Sequence, residues 1–345
     1  MKALYLAIDG GQSGTVAILA DSDGMVRGIG HGGPIRHHEE ADAVAFVRSA
    51  LSTAIAEALR DVPGATISVC TLALTGSAGL ARSALNDFIQ PTQTIVLESD
   101  AFAALASGVA GRGGIAVIAG TGTVALAQSK CPKSARHILV GGWGWALGDE
   151  GSGFWIAMEG FKRAARAVDG TASITSLTTQ LPLALGQPDM RAVYNVITGN
   201  RFDRTEIAKL ARVVMKCAED GDVAAESILD RAAQALADLV VATAEQAEFL
   251  DNTERVVVLS GGILSADSPL VPRVRSQLIA RLPAFISVVP AFPPVVGAYF
   301  LALETDQIAV TDGIEKGLRA QFLARPELHS KTAASWSALA DLFAN

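Results

Sequence analysis

Residues 4–29 read LYLAIDGGQSGTVAILADSDGMVRGI. The apolar run 4–8 predicts a β-strand, 9–14 a glycine-rich turn, 15–20 a second strand and 25–29, after a short acidic turn, a third. A glycine-rich loop in a Rossmann or P-loop unit runs directly into a helix. Here it runs into a strand, so both of those nucleotide-binding classes are excluded.

The chain continues with alternating helices and strands. The pattern predicts a helix at 41–59, a strand at 67–74, a short helix at 80–89, a strand at 94–97 and a helix that begins just after Asp100. This βββαβαβ order is typical of a mixed sheet with helices on its faces, and therefore of an α/β fold.

The opening pattern then occurs a second time. Residues 117–127 repeat the strand, glycine turn and strand of residues 7–20, and Thr15-Val16-Ala17 aligns with Thr123-Val124-Ala125. One such repeat in each half predicts two related domains that face each other across a nucleotide cleft, with a hinge at 111–114.

The repeat sets the expected domain boundaries. We expect an N-terminal domain at 1–113 with sugar and phosphate elements, a C-terminal domain at 114–304 with nucleotide elements, and a helical tail at 305–345 that can pack back on the first domain. The later elements are predicted as a helical region between 154 and 249, with its longest helix at 223–249, strands at 255–259 and 285–289, a helix from Pro293-Pro294 to Leu303, and a helix near 335–343.

Composition excludes several classes. Half of the 345 residues are hydrophobic, 18% are charged and the net charge is −7, which argues against disorder and against a nucleic-acid or anionic-membrane partner. The cysteines Cys70, Cys131 and Cys217 lie far apart, so neither a disulfide scaffold nor a zinc or iron-sulfur site is expected. No apolar run resembles a signal peptide or a membrane span, so we expect a cytoplasmic protein.

Two glycine turns are candidate phosphate sites. In the first, Asp9 stands at a strand end, where it can reach a bound Mg²⁺, and is followed by backbone N–H groups that can hold phosphates. A plain hairpin turn is the alternative for either turn alone. The two turns together fit a nucleotide whose phosphates are bound without lysine. The Gly261-Gly262 pair, which follows a later strand, can lie against the base or ribose of that nucleotide. The candidate nucleotide residues are Gly11, Gln12, Ser13, Gly14 and Thr15 in the first turn, Gly120, Thr121, Gly122 and Thr123 in the second, and Gly261 and Gly262.

Two further stretches carry acidic candidates. Asp100 follows a strand and precedes a helix, so it is a candidate general base or a helix N-cap, and the two roles can coexist. In the stretch 141–153, GGWGWALGDEGSG, the acids Asp149 and Glu150 are either ordinary helix-start acids or acceptors for sugar hydroxyls beside the flat face of Trp143.

Together these motifs resemble the sugar-kinase branch of the actin, hsp70 and hexokinase superfamily, and most closely its N-acetylglucosamine kinase and BadF/BadG/BcrA/BcrD ATPase group. The resemblance implies two ribonuclease-H-like, actin-like ATPase domains, ATP and Mg²⁺ as cofactors, and phosphorylation of an amino sugar such as N-acetylglucosamine or glucosamine, at its 6-hydroxyl. It further implies that Asp100 is the catalytic base, that Trp143 and Asp149 line the sugar pocket, and that Ser13 and Thr121 approach the ATP phosphates.

The chain departs from that group in one place. Acetamido-sugar kinases of the group usually carry an asparagine soon after the third strand, whereas this chain has Gly32-Gly33-Pro34-Ile35-Arg36-His37-His38. Arg36 can recognise an acidic substituent on the sugar, because a guanidinium binds carboxylates in a bidentate manner. The alternative is that Arg36, His37 and His38 form a solvated loop.

Three competing functions are weighed against a sugar kinase. A dehydratase activator needs a set of cysteines that binds an iron-sulfur cluster, and the three separated cysteines of this chain do not form one. The zinc-bearing sugar kinases and repressors carry a cysteine-rich motif, which this chain also lacks. The alternative of a regulator or ATPase that binds ATP and sugar without sugar turnover stays open. A homodimer is also compatible with the sequence.

Overall fold

The computed structural model describes residues 2–11, 14–35, 43–74, 78–111, 113–129, 136–199, 203–248, 250–251 and 254–324. The described residues form two compact units. Unit 1 contains those of Met1–Gly113 and Pro290–Asn345, and unit 2 contains those of Gly114–Val289.

Unit 1 is built on a mixed sheet. Its elements are β1 (Leu4–Gly11), β2 (Gly14–Asp21), β3 (Val26–Gly32), α1 (Ala43–Ala58), β4 (Ile67–Leu74), α2 (Ala78–Asn86), β5 (Gln93–Val96) and α3 (Ala101–Val109). The sheet order is β3-β2-β1-β4-β5. The first three strands pair antiparallel, and β1, β4 and β5 run parallel. The predicted α/β class and the βββαβαβ order are therefore confirmed.

Unit 2 has the same sheet with a helical insertion. Its elements are β6 (Gly114–Ala119), β7 (Thr123–Gln128), β8 (His137–Gly141), α4 (Gly153–Val168), α5 (Leu177–Ala184), α6 (Met190–Thr198), α7 (Arg204–Lys209), α8 (Ala211–Glu219), α9 (Val223–Gln246), β9 (Val256–Ser260), α10 (Leu270–Arg281) and β10 (Ile286–Val288). The order β10-β9-β6-β7-β8 is that of unit 1 read from the other edge. The repetition predicted from the two glycine turns is thus a repetition of the whole sheet.

The last two described helices return to unit 1. They are α11 (Pro294–Thr305) and α12 (Asp312–Ala324). Helix α11 packs on α3, β1 and β4, and the Tyr299 hydroxyl donates to the Asp21 carbonyl oxygen over 2.6 Å. The expected second domain at 114–304 therefore extends too far, because apolar side chains between Phe292 and Phe322 are buried in the core of unit 1.

Helix α12 is fastened to the β2–β3 turn. The Gln321 side chain donates to the Gly24 carbonyl oxygen and accepts from the Val26 N–H, each over 2.9 Å. Ile314, Leu318 and Phe322 join the unit 1 core. The helix predicted near 335–343 lies outside the described residues.

The cap of α9 links two helices of the unit 2 insertion. The Asp222 carboxylate accepts from the N–H groups of Ala224 and Ala225 at the start of that helix, and from Thr175 and Ser176 just before α5. Burial acts to raise the pKa of Asp222, but the hydrogen bonds from Ser176 and Thr175 outweigh it, so that the pKa lies below its ordinary value.

No helix in the described ranges combines the length and the apolarity that a membrane span requires.

Gly297 lets α11 approach α3 closely. A Cβ at this position would lie 1.9 Å from the Ala103 carbonyl oxygen and 2.6 Å from the Ser107 backbone nitrogen. Both atoms belong to the backbone of α3, so neither can move aside without shifting that helix. The position of α3, and of Asp100 at its start, therefore depends on the missing side chain.

We predict that Gly297→Ala lowers the free energy of unfolding by about 3 kcal/mol, at the upper end of overpacked core sites. Gly317→Ala is the matched control, since Gly317 also lies within a helix of unit 1 and a Cβ there has no neighbour within 4 Å. We expect the control to gain up to ~1 kcal/mol from helix propensity. Denaturant unfolding of both variants measures the difference, and equal stabilities would contradict the close approach of α11 to α3.

Candidate functional site

In unit 1, two candidate acids lie at the same edge of the sheet. Asp9 stands near the carboxyl end of β1 and is 7% exposed. Asp100 follows β5, which runs parallel to β1 through β4. The carboxyl ends of parallel strands share one edge, which is where α/β sheets bind ligands. The topology therefore brings the predicted metal residue and the predicted base to one edge.

The side chain of Asp100 does not cap α3. Asp100 occupies the N-cap position, but its carboxylate accepts no capping hydrogen bond. Ser99 lies beside it instead: its Oγ accepts from the Ala101 N–H over 3.2 Å and donates to Asp100 Oδ1 over 3.3 Å. The N-cap interpretation of the Asp100 side chain is therefore wrong. Asp100 is half-buried.

The first glycine turn is tied to the segment that follows β3. The Thr15 hydroxyl donates to the Gly33 carbonyl oxygen, and the Ile35 N–H donates to the Gly11 carbonyl oxygen, both over 2.9 Å. Gly14 has a φ of +150°, which an L side chain rarely adopts. The Thr15 hydroxyl thus ties the start of β2 to the residue that follows β3. The candidates Gln12, Ser13 and Arg36 lie outside the described residues.

In unit 2, the second glycine turn joins β6 to β7. The Gly120 N–H donates to the Gly122 carbonyl oxygen over 3.0 Å. Within the described part of the chain, the N–H groups of Thr121 and Gly122 have no hydrogen-bond acceptor, and both residues are partly exposed. Two adjacent backbone donors in a turn form a site suited to an anion.

The Asp149 carboxylate lies beneath this turn. It is 6% exposed, and its Oδ1 accepts from the Thr123 N–H over 3.0 Å. A Cβ on Gly122 would lie 2.8 Å from Oδ2, so the carboxylate occupies the space that a side chain would fill. Asp149 itself has a φ of +63°, and it precedes Ser152, the true N-cap of α4. The interpretation of Asp149 as an ordinary helix-start acid is therefore wrong.

Two other segments hold the turn in place. At the start of α4, the Gly153 N–H donates to the Gly120 carbonyl oxygen over 2.8 Å. After β9, Gly261 has a φ of +110° and lies so close to Ala119 that a Cβ would be 2.2 Å from the Ala119 carbonyl oxygen. The structure thus brings the predicted elements 120–123, 149–153 and 261–262 together within unit 2.

The three predicted sugar residues of unit 2 differ in exposure. Trp143 is 73% exposed and Glu150 is exposed, whereas Asp149 is buried. The Glu150 carbonyl oxygen accepts from the Thr123 hydroxyl over 3.4 Å. The neighbouring Trp145 ring meets the Phe154 ring edge-on, with centroids 5.9 Å apart.

Sequence reasoning missed Arg204. Its Nη2 lies 3.3 Å from Asp149 Oδ2, and its guanidinium lies 5.5 Å from the centre of the Phe154 ring. The capping box formed by Asp203 and Glu206 marks the start of α7 in the sequence. Nothing in that motif indicates that the first residue of the helix pairs with an acid 55 positions earlier.

The chain is similar to a known family over most of its length. The profile of the BadF/BadG/BcrA/BcrD ATPase family matches residues 6–302. An N-acetylmuramic acid/N-acetylglucosamine kinase from Clostridium acetobutylicum is 32% identical over 244 residues, which cover 69% of this chain and 78% of the relative. An N-acetyl-D-glucosamine kinase from Dictyostelium discoideum is 26% identical over 324 residues, covering 88% of this chain and 99% of the relative.

A solved structure agrees with the fold. A Chromobacterium violaceum protein, provisionally described as an N-acetylglucosamine kinase, superposes with a TM-score of 0.64 at 27% identity. The superposition covers 88% of this chain and 99% of that one. The family resemblance drawn from the motifs and the two-domain actin-like fold are confirmed.

We predict that Gly122→Ala destabilises the free protein by about 2 kcal/mol, because the new methyl group must displace a buried carboxylate that is held by two donors. Gly120→Ala is the matched control: a Cβ there meets nothing within 4 Å, and Gly120 lies in the same turn. Thermal unfolding without ligand compares the two variants. Equal melting temperatures of the two variants would contradict the conclusion that the Asp149 carboxylate needs the space left by the missing side chain of Gly122.

Proposed function

Because this chain belongs to the BadF/BadG/BcrA/BcrD ATPase family, we propose that it is a kinase that uses ATP to phosphorylate a small sugar. Its relatives from Clostridium acetobutylicum and Dictyostelium discoideum are named as kinases of N-acetylated amino sugars. We further propose an N-acetylated hexosamine as the substrate class and its primary hydroxyl, O6, as the acceptor.

The second glycine turn carries the proposal. It offers the N–H groups of Thr121 and Gly122, which have no acceptor among the described residues, while Asp149 and Gly153 hold the turn from the protein side. Such donors stabilise phosphoryl charge without a cationic side chain. In this proposal the turn binds the ATP phosphates, and Gly261 and Gly262 lie against the nucleoside.

Asp100 is the proposed general base. Its carboxylate takes the proton from the sugar hydroxyl as the hydroxyl oxygen forms a bond to the γ-phosphorus, and the bond from that phosphorus to the β–γ bridging oxygen breaks to release ADP. Its place in the fold supports this role, since Asp100 follows β5 at the sheet edge where α/β folds bind ligands.

Asp9 is the proposed contact for Mg²⁺. No cluster of three or more metal-binding side chains occurs within the described ranges. Mg²⁺ bound with a nucleotide takes one or two carboxylates and completes its shell with water and phosphate oxygens, so a single buried carboxylate at a strand end fits the ion. When bound, the ion would neutralise charge on the phosphates.

The sugar contacts are proposed from unit 2 and from the loop after β3. The exposed Trp143 offers a flat apolar face, and the Glu150 carboxylate can accept from hydroxyl groups. Asp149 is a further proposed sugar contact, through the carboxylate acceptor positions that Thr123 and Arg204 leave unused. Arg36 is proposed to recognise an acidic substituent.

The function is tested by ADP release from ATP and Mg²⁺ with N-acetylglucosamine, glucosamine, N-acetylmuramic acid or no sugar. We expect release that depends on an N-acetylated sugar. Binding of nucleotide without sugar-dependent release would replace the kinase by a regulator, and release without sugar would replace it by an ATPase. Equal or better turnover of the neutral sugars than of N-acetylmuramic acid would remove Arg36 from an acid-recognition role.

We predict that Asp100→Asn lowers kcat by roughly 10² to 10⁴, because an amide cannot accept the hydroxyl proton. The affinity for ATP, measured by calorimetry, should stay nearly unchanged. Asp87→Asn is the control, since Asp87 is a surface carboxylate of the same unit paired with Arg48. Full turnover by the Asp100 variant would exclude it as the base.

A further inference from the structure

Arg204 connects α7 to the second glycine turn through one carboxylate. The backbone of α7 is fixed at its start by a capping box in which Asp203 and Glu206 each accept from the other's backbone N–H. From that position the Arg204 Nη2 lies 3.3 Å from Asp149 Oδ2. The Asp149 side chain is 5% exposed and that of Arg204 is 31% exposed, so the pair is largely shielded from water.

The two oxygens of Asp149 have different partners. Oδ1 accepts from the Thr123 N–H, the first backbone group of β7, and Oδ2 accepts from Arg204. The carboxylate also lies against the bare Cα of Gly122. A rotation of the carboxylate would therefore break the bond to Thr123 and push on the turn at the same time.

The Arg204 guanidinium also contacts an aromatic ring. Arg204 lies over the Phe154 ring, and Phe154 meets the ring of Trp145. Arg204 thus contacts both the Phe154 ring and the Asp149 carboxylate beneath the turn. Its Nε is buried and has no hydrogen-bond partner among the described residues. The guanidinium is therefore held by Asp149 and Phe154 at the cost of one unsatisfied donor.

We propose that Arg204 is a positioning residue, which holds the Asp149 carboxylate against Thr123 and thereby fixes the turn 120–123. The proposal rests on the proposed function for its catalytic consequence, since the turn is the proposed phosphate site. Arg204 acts here through Asp149 and touches neither substrate.

The physical reason lies in the burial of the acid. Without the Arg204 guanidinium, the Asp149 carboxylate keeps its burial but loses its positive partner, and a buried charge without a partner is strongly disfavoured. The acid then turns toward water. In that position it is a weaker acceptor for the Thr123 N–H, and the turn loses the hydrogen bond that holds Thr123.

The first test measures the turn directly, in the free protein. In Arg204→Gln, hydrogen exchange of the Thr123 amide should be faster by about tenfold or more, because its acceptor is weakened. Arg281→Gln is the matched control: Arg281 pairs with Asp238 on the same unit, and its side chain is also 31% exposed. Unchanged exchange at Thr123 in Arg204→Gln, or equal acceleration in the control, overturns the proposal.

The second test measures catalysis. We expect Arg204→Gln to lower kcat/KM for ATP by about tenfold to a hundredfold, because misplaced donors no longer match the transferred phosphoryl group. The KM for the sugar should rise as well, because Asp149 is also a proposed sugar contact, so the loss in kcat/KM for ATP is the deciding readout. A variant in which only the sugar KM rises would place Arg204 on the sugar instead and overturn a positioning role.

A conservative variant and a double variant keep the proposal testable. Arg204→Lys retains a cation near Asp149, so it should restore part of the Thr123 protection even if Arg204→Gln folds poorly. Arg204→Gln should add little to Asp149→Asn, because both changes break the same contact; fully additive effects would overturn the proposal. The exchange measurement needs no substrate, so a failure of the proposed kinase activity in the unaltered protein is distinguishable from a failure of this proposal.

Discussion

A buried carboxylate must be surrounded by donors, and the local structure of unit 2 depends on how the Asp149 carboxylate meets that requirement. Its donors are a backbone N–H of β7 and a guanidinium from α7. The room for it exists only because Gly122 has no side chain. The donors come from segments that are far apart in the sequence, so this one group links the sheet to the helical insertion. Of the other N–H groups in the turn, that of Gly120 donates to the Gly122 carbonyl oxygen, and those of Thr121 and Gly122 have no acceptor among the described residues.

The two units use the same sheet but finish the hairpin differently. In unit 1 the strands pair up to Gly11 and Gly14, which leaves a two-residue connection. In unit 2 they pair up to Ala119 and Thr123, which leaves three residues. The first turn is held by the segment after β3, and the second by an acid and by the start of α4. Equal topology thus comes with two hairpins that are held by different contacts.

The sequence was sufficient for the sheet and its repetition, because strand patterning and glycine turns are local signals. It also predicted that the glycine elements of unit 2 belong together. It was not sufficient to assign α11 to a unit, since an apolar helix fits either core and the assignment depends on its packing against α3, β1 and β4. It could not predict the orientation of the Asp149 side chain, which depends on a positive φ and on a hydrogen-bond partner 55 positions away. Contacts of that kind leave no periodic trace in a single sequence.

The adjacent acids Asp149 and Glu150 illustrate how one motif can serve two purposes. The carboxylate of Asp149 is enclosed and that of Glu150 is exposed, although both stand in the same glycine-rich stretch. An ionised carboxylate has about four acceptor positions, and Asp149 uses one on each oxygen for Thr123 and Arg204. In the proposed function, a sugar hydroxyl that donates to Asp149 shares its acceptor with the glycine turn. Any linkage between sugar and nucleotide that passes through this shared acceptor acts with equal strength in both directions, because binding free energies are reciprocal.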